Sequence, residues 1–194
     1  MVETAAPYSH SELIVALERD VANVSATILS LTPEQCFAHP PGVWSAAENV
    51  LHMQQLSKVF ILAFSMPRFT LGTLFGKPKQ QARDYATIAS SYQTAIAGGF
   101  EAPAYSIPTK PQGPFNQQRQ QALVEQWQKI NQRMIESLFH WDDAALDQYQ
   151  IPHPALGKLT VREMLFFMHC HTQQHLNQIT ELHQSQSSSQ LAAH

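Results

Sequence analysis

Residues 159–179, with the sequence LTVREMLFFMHCHTQQHLNQI, have the pattern of one long amphipathic helix. His171 and His175 lie within its apolar stripe, four residues apart, so their side chains are one turn apart with Cβ atoms about 5–6 Å from each other. Because a metal–imidazole bond is about 2.0–2.1 Å long, both rings can reach one ion. The apolar positions that define the stripe are Met164, Phe167, Met168, Ile179 and Leu182.

A histidine pair at this spacing also arises by chance. The chain has ten histidines in 194 residues, and a histidine-lined core without metal is the alternative interpretation of the pair. A third ligand from another helix is what would distinguish a metal site from such a core.

The composition indicates one globular domain. Hydrophobic residues make up 44% and charged residues 14% of the chain, and its length is sufficient for a sizeable core. We predict a single domain over residues 1–184 and a Ser/Gln-rich, disordered tail over residues 185–194. The net charge of −3 offers no basic patch for phosphates, so we expect no nucleic-acid partner.

The sequence has no pattern that predicts a secreted or membrane-spanning protein. The first nine residues lack the pattern of a signal peptide, and the longest apolar run, residues 59–64, is too short to cross a bilayer. The two cysteines, Cys36 and Cys170, are expected to be reduced and buried. We therefore expect a cytoplasmic protein with no membrane partner.

Four amphipathic helices with almost no strand pattern predict an all-α four-helix bundle. The first helix starts at a capping box formed by Ser9 and Glu12, and the second starts at one formed by Ser45 and Glu48. The predicted helices cover about residues 10–31, 45–66, 116–139 and 159–183.

The connection between the second and third helices, residues 66–114, is proline-rich and long. Within it, residues 84–97 have a helical pattern that Gly98 and Gly99 end. Connections of this length in compact domains are usually lids, binding loops or linkers. Aromatic residues along the segment favour a packed, lid-like covering.

His52 is the natural third ligand for the pair on the last helix. It lies on the apolar face of the second helix, one turn before Leu56, and packed helices are about 8–10 Å apart. Three neutral histidines leave at least one coordination position open, as catalytic sites do, and they accept most late first-row divalent ions. Since histidine has an ordinary pKa near 6.5, metal affinity should fall below about that pH.

The other histidines fit this site less well. His169 points about 200° around the helix from His171, and His183 lies roughly 12 Å along the axis from His175. His153, in the loop that leads into the last helix, stays open as a candidate. Four histidines in loops or at chain or helix ends are expected to be solvated: His10, His39, His140 and His194.

Three residues are weak candidates for a catalytic role. Glu48, one turn before His52, is either a general base or only the partner of the capping box, and we favour the cap. Gln178 lies on the His175 side of its helix, where it either hydrogen-bonds a water at the metal or is solvated. His153 is a candidate acid near the mouth of the site.

Two separated motifs resemble the DinB/YfiT superfamily, and together they cover nearly the whole chain outside residues 66–114 and the tail. The first is WSxxExxxH, residues 44–52. The second is HPxLGxLTxRE, residues 153–163, which is followed by HxxxHxxQI, residues 171–179. The His-Pro-x-x-Gly segment before the last helix is most similar to the DinB-like branch.

The resemblance implies an up-down-down-up bundle whose metal ligands fall on His52, His171 and His175, often with Zn or Ni and sometimes with Fe. Similar proteins are commonly described as metal-dependent hydrolases. Characterised relatives include thiol-dependent S-transferases and the iron-binding domain of sulfoxide synthases, and the family is often dimeric. The segment 66–114 is a departure, because the simplest relatives lack it.

The three-histidine pattern and the family resemblance together imply a metal-dependent enzyme that acts on a small molecule. It is either a hydrolase or an S-transferase with a low-molecular-weight thiol as co-substrate; Zn or Ni is the expected metal, with Fe or Mn as further options. The chain offers no nucleophile of its own, since Cys170 points away from the ligand face. The alternative is a non-catalytic metal- or ligand-binding bundle, and either protein is a possible homodimer.

Overall fold

A computed structural model of the chain describes residues 8–192, with side chains for residues 8–184. Within this range the fold is an all-α bundle of four long helices, α1, α3, α6 and α8, with short elements in its connections. In chain order the elements are α1 (His10–Ser30), α2 (Pro33–Phe37), α3 (Ala46–Phe64), α4 (Arg68–Phe75), α5 (Tyr85–Ala97), a 3₁₀ turn (Ala104–Ser106), α6 (Gln117–Leu138), α7 (Asp143–Gln148), β1 (Gln150–His153), β2 (Gly157–Thr160) and α8 (Val161–Ala192).

The starts of the first two long helices are set by the predicted capping boxes. The Ser9 hydroxyl accepts from the Glu12 amide and the Glu12 carboxylate accepts from the Ser9 amide, which satisfies two amides that have no partner inside the helix. Ser45 and Glu48 do the same for α3. The predicted bounds of α1, α3 and α6 are confirmed to within two residues at each end.

Contacts at one end of the bundle fix the direction of the long helices. The His10 amide donates to the Asp143 carboxylate (2.9 Å), and Arg162 donates to the same carboxylate (3.2 Å). The Trp141 indole N–H donates to the Phe64 carbonyl (3.2 Å). The starts of α1 and α8 therefore lie beside the ends of α3 and α6, which is the up-down-down-up arrangement.

Because α3 and α6 are neighbours that run in the same direction, the chain between them has to return along the bundle. The 19 residues of α3 make a helix roughly 28 Å long, and the crossover, residues 65–116, covers this length. The predicted helix in the crossover is confirmed as α5, which packs on α8, while the 3₁₀ turn packs on α3. The helix α4 was not predicted.

A β-hairpin stands where the sequence predicted a connection and the first turn of the last helix. Strand β1 pairs antiparallel with β2, with Gln150 opposite Thr160 and His153 opposite Gly157. Gly157 has a φ of 73°, a left-handed conformation that glycine adopts without steric cost. The prediction of almost no strand is confirmed, but this hairpin was not predicted, because four-residue strands are too short to show a clear alternation.

The last helix begins at Val161, two residues later than predicted, because Thr160 caps it. The Thr160 hydroxyl accepts from the Glu163 amide (3.1 Å), and the Thr160 amide donates to the Glu163 carboxylate (2.8 Å). This T-x-x-E pattern is a capping box, and it is present in the sequence. It is the signal by which the start of α8 is predictable.

The described helix α8 extends to Ala192, beyond the predicted end near His183. The tail predicted to be disordered, residues 185–194, therefore overlaps the helical segment 185–192, whose side chains lie outside the described set. Residues 193 and 194 lie outside the described residues altogether. Disorder of the tail stays a prediction.

The buried apolar residues form two clusters that leave room for polar residues between them. Along α8, the first cluster ends at Cys170 and the second is reached at Ile179. His171 and His175 occupy the interval. The two free cysteines, Cys36 and Cys170, are buried as predicted.

No single helix within residues 8–192 is both long enough and apolar enough to cross a membrane. The helices α3 and α4 meet these criteria only when taken as a pair, and the pair is bent by 102°.

We expect the substitution Thr160→Ala to lower the free energy of unfolding by about 1 kcal/mol, because it removes the side-chain cap of α8. Urea unfolding followed by circular dichroism measures the change. Thr180→Ala is the matched control, since Thr180 is exposed in the interior of the same helix and alanine is the better helix former. Equal effects of the two substitutions would contradict the assigned cap.

Candidate metal centre

Three histidines from two helices converge inside the bundle. His52 on α3 and His171 and His175 on α8 are buried, with 3%, 5% and 6% of their surface exposed. The Nε2 atom of His171 lies 3.2 Å from Nε2 of His52 and 3.1 Å from Nε2 of His175. Among the described residues, these three form the one group of His, Cys, Asp or Glu whose ligand atoms all lie within 4.8 Å of one another.

The two nitrogen–nitrogen distances that involve His171 match ligands of a shared ion. Two imidazole nitrogens bonded to one metal at about 2.0–2.1 Å are roughly 2.9 Å apart at a right angle and roughly 3.4 Å apart at the tetrahedral angle. The two observed Nε2–Nε2 distances of 3.1 and 3.2 Å fall between these limits.

Hydrogen bonds on the far side of two rings determine which nitrogen carries the proton. The Nδ1 atom of His52 lies 2.7 Å from the Ser106 carbonyl oxygen, and Nδ1 of His175 lies 2.7 Å from Oδ1 of Asn49. Carbonyl oxygens only accept, so both Nδ1 atoms are donors. Each neutral ring then presents the lone pair of Nε2 to the centre, as metal-binding histidines with an outer hydrogen-bond partner do.

The partner of His175 is itself held in one orientation. The Asn49 amide nitrogen donates to the carbonyl oxygens of Ser45 (2.9 Å) and Trp44 (3.4 Å), which leaves Oδ1 as the acceptor for the imidazole. Asn49 and Ser106 are the residues of the site that the sequence did not reveal. Asn49 precedes His52 by three residues, but the histidine that it orients is 126 positions away, and no local pattern connects the two.

Burial keeps the three rings neutral. It lowers the pKa of His52 from its ordinary value and lowers that of His175 to about 3, where the charge of His52 adds to the effect. The pKa of His171 lies well below the ordinary value, first because of burial and then because His175, His52 and His153 are close. Protons therefore compete with a metal at a lower pH than they would for free histidines, and the fall of metal affinity with pH stays a prediction.

The donor set fits a divalent cation. The Nε2 lone pairs of His52 and His175 both point at the Nε2 atom of His171. A single proton on that atom could reach both lone pairs only as one shared, bifurcated hydrogen bond. A late first-row divalent ion would accept all three lone pairs at once. The residues present are thus chemically suited to the metal that the sequence predicts.

The three histidines form part of the wall of a cavity of about 250 Å³. The helices α3, α5 and α8, the 3₁₀ turn and the hairpin all contribute to it. Most of the wall is apolar, and its polar members, apart from the three histidines, include His153, Gln174 and Gln178. The apolar members include Leu56, Phe60, Tyr92, Ile96, Phe100, Ile151, Met164 and Phe167.

The sequence profile of the DinB superfamily matches residues 16–179. The chain belongs to the DinB superfamily. No curated protein matches the sequence significantly. The matched range contains all three clustered histidines, so the resemblance that the two motifs indicated is confirmed.

Two solved structures have the same fold as this DinB-superfamily chain at low sequence identity. YfiT from Bacillus subtilis, described as a probable metal-dependent hydrolase with an unusual four-helix bundle topology, is 17% identical with a TM-score of 0.59, over 96% of this chain and 93% of its own. The colibactin self-resistance protein ClbS, solved in complex with double-stranded DNA, is 14% identical with a TM-score of 0.54, over 92% of this chain and 98% of its own.

Among the weak catalytic candidates, Glu48 is engaged in the helix cap. One oxygen of its carboxylate accepts from the Ser45 amide and hydroxyl, both at 2.8 Å, and lies 2.6 Å from Nδ1 of His39. Glu48 is not among the residues that line the cavity. These contacts agree with the favoured interpretation of Glu48 as a cap residue.

Gln178 and His153 both line the cavity. Gln178 is exposed and its side chain lies beside His175, where it slightly opposes the lowering of the pKa. His153 is 8% exposed, at the end of β1, with its ring 4.2 Å from the ring of Phe167 in an edge-on arrangement. Burial lowers the pKa of His153 to about 4.

Two of the histidines expected to be solvated have partners in the fold. His39 hydrogen-bonds Glu48, and Nε2 of His10 lies 2.9 Å from the Leu138 carbonyl oxygen. His39 is exposed as predicted, with its ring at the start of α3, whereas His10 is only partly exposed because its ring lies against the end of α6. His169 points away from the cluster as predicted, and its Nδ1 lies 2.6 Å from the buried Asp20 carboxylate. His194 lies outside the described residues.

We expect the purified protein to bind about one divalent ion per chain and the variant His171→Ala to bind none. The removed ring contributes the nitrogen that both other ligands face, so two ligands remain and the affinity drops sharply. Elemental mass spectrometry after loading and dialysis measures the content. His140→Ala is the control, because His140 is exposed outside the cluster. Retention of metal by His171→Ala would contradict the assigned ligand set.

Stability of the metal-free protein should decrease as the pH falls below about 6.5. In the unfolded chain the histidines titrate near 6.5, whereas the folded pKa of His153 is about 4, so the unfolded state binds more protons between these values. His153 alone would lower the free energy of unfolding by about 2 kcal/mol at pH 5 relative to pH 7.5. Urea unfolding at both pH values tests this, and His153→Gln should show a shallower decline.

Proposed function

We propose that this DinB-superfamily chain is a metal-dependent enzyme that activates a small nucleophile, either water or a low-molecular-weight thiol, for attack on a small apolar substrate. The observation that carries the proposal is the convergence of three neutral Nε2 atoms in the wall of an otherwise largely apolar cavity. Zn or Ni is the first expectation for the metal, with Fe or Mn as alternatives.

The chain's own residues have distinct roles in this proposal. His52, His171 and His175 would hold the ion, while Ser106 and Asn49 keep two of the rings oriented. A divalent ion held there would supply Lewis acidity, which lowers the pKa of a water or thiol at an open coordination position.

The cavity wall favours an uncharged substrate. None of the described residues that line it is Asp, Glu, Lys or Arg, so a charged substrate would lose its hydration without gaining a counter-charge. Phe60, Tyr92 and Phe167 instead offer apolar surface against which a small hydrophobic molecule packs.

The same wall favours transfer of a thiol as the first reaction to test. Hydrolysis is often assisted by a carboxylate that takes a proton from water, and no carboxylate lies among the described residues of the wall. A thiol, with an ordinary pKa near 8.5, loses its proton far more readily than water does. Hydrolysis, the activity suggested for YfiT by its description, is the second reaction to test.

The proposed partners follow from the apolar cavity and from the charge of the chain. We propose a small molecule as the substrate and expect no DNA binding of the kind seen for ClbS, because the chain has a net charge of −3. We further propose a cytoplasmic, homodimeric protein. The non-catalytic alternative is a bundle in which the metal only stabilises the core.

Turnover should require both the metal and His52. We expect the Zn- or Ni-loaded wild type to conjugate a low-molecular-weight thiol to 1-chloro-2,4-dinitrobenzene, or to hydrolyse p-nitrophenyl acetate, and the metal-free protein to do neither. His52→Ala should lose metal and turnover together, and His140→Ala should keep both.

The outcomes of this assay separate the alternatives. Turnover that persists in the metal-free His52→Ala variant would end the proposal of metal-dependent catalysis. Stoichiometric metal without turnover of any thiol acceptor or ester in a broad panel would favour the non-catalytic bundle, which also predicts that chelation lowers the melting temperature.

A further inference from the structure

His153 shares the cavity with the three clustered histidines but is not one of their group. The ligand atoms of His52, His171 and His175 all lie within 4.8 Å of one another, and among the described residues no fourth side chain belongs to this set. The ring of His153 instead contacts Phe167 at a centroid distance of 4.2 Å. Phe167 precedes His171 by one helical turn, and their ring centroids are 5.2 Å apart.

The backbone of the hairpin turn fixes the tautomer of His153. Its Nδ1 atom accepts from the amide of Ala155 (3.2 Å) and from the amide of Leu156 (3.1 Å). An amide N–H is only a donor, so Nδ1 is without a proton and the neutral ring carries its hydrogen on Nε2. This tautomer is the opposite of that of His52 and His175, whose Nδ1 atoms are the donors.

The opposite tautomers imply opposite roles in one cavity. His52 and His175 present lone pairs to the centre of the site. His153 also lies in the cavity wall. Because its Nδ1 accepts from the turn amides, its other ring nitrogen, Nε2, carries the hydrogen. Among the described residues, no protein group accepts from this N–H, and the ring is buried and neutral near pH 7.

We infer that His153 is a substrate-binding residue that donates its Nε2–H to a hydrogen-bond acceptor, such as a carbonyl oxygen, on an otherwise apolar substrate. This inference rests on the proposed function for the identity of the molecule as a substrate. It extends that function by naming the substrate class: a small uncharged compound with an oxygen acceptor. The role excludes metal ligation by His153, since its Nε2 carries hydrogen.

The hairpin supports this role by its construction. His153 is the last residue of β1, opposite Gly157, and Pro152 and Pro154 flank it. Proline fixes its own φ angle and restricts the residue before it to extended conformations, so the backbone at His153 has little freedom. A donor on such a backbone loses little entropy when it binds an acceptor.

A pair of probes that differ only in the acceptor tests the inference without turnover. Acetophenone and ethylbenzene have the same aromatic ring and similar size, but only acetophenone has a carbonyl oxygen. Titration of the full-length protein, followed by NMR, should show that acetophenone binds roughly threefold to tenfold more tightly, the effect of one net hydrogen bond. Acetophenone should also shift the His153 Nε2–H resonance.

Variants at His153 complete the test. His153→Leu should bind the two probes equally and retain the metal content of the wild type, whereas His153→Gln, with an amide N–H in a similar place, should restore the preference for acetophenone. In the wild type, a long-range proton–nitrogen spectrum should show His153 as the Nε2–H tautomer. An Nδ1–H tautomer, equal binding of both probes to the wild type, or loss of metal in His153→Leu would each overturn the inference.

These results are distinguishable from a failure of the proposed function. A protein without metal-dependent turnover that still prefers acetophenone through His153 would refute catalysis and keep the binding role. A protein with turnover that does not distinguish the probes would keep catalysis and refute the role of His153.

Discussion

The parallel direction of α3 and α6 is the constraint on which the site depends. Two neighbouring helices that run the same way cannot be joined by a short turn, so the chain must travel the length of the bundle between them. This crossover delivers α5 to the surface of α8 and the 3₁₀ turn to α3. The cavity and the Ser106 carbonyl that orients His52 are thus products of the topology.

The three buried imidazoles would be costly to the fold without this surrounding structure. A buried polar group is tolerated only when its hydrogen bonds are satisfied, and Ser106 and Asn49 satisfy the outer nitrogens of two rings. Gln55 also stabilises the position of Ser106. With its amide nitrogen toward the 3₁₀ turn, Gln55 donates to the carbonyls of Tyr105 (3.2 Å) and Ser106 (2.9 Å). The inner Nε2 atoms of the three rings face one another, with that of His171 3.2 and 3.1 Å from the other two, and this is where a cation gains most.

Local patterns in the sequence were sufficient to predict the bundle and the convergence of the three histidines. Capping boxes at Ser9 and Ser45, and a period of 3.6 residues, predict where the long helices lie. The hairpin was missed because two strands of four residues carry no clear period, although the T-x-x-E cap at Thr160 marks where helix and strand meet. The outer partners Asn49 and Ser106 were beyond reach because they are defined by tertiary contacts alone.

The Glu163 carboxylate shows why these parts keep their positions relative to one another. It accepts from the amide of Thr160 at the end of the hairpin, and from the amide and side chain of Arg83 in the crossover, each at 2.8 Å. Burial acts to raise its pKa, but the hydrogen bonds and charge of Arg83 hold the pKa below its ordinary value, so the group stays ionised. One charge at the first turn of α8 therefore joins the element that carries His153, the segment that covers the cavity, and the helix that carries His171 and His175.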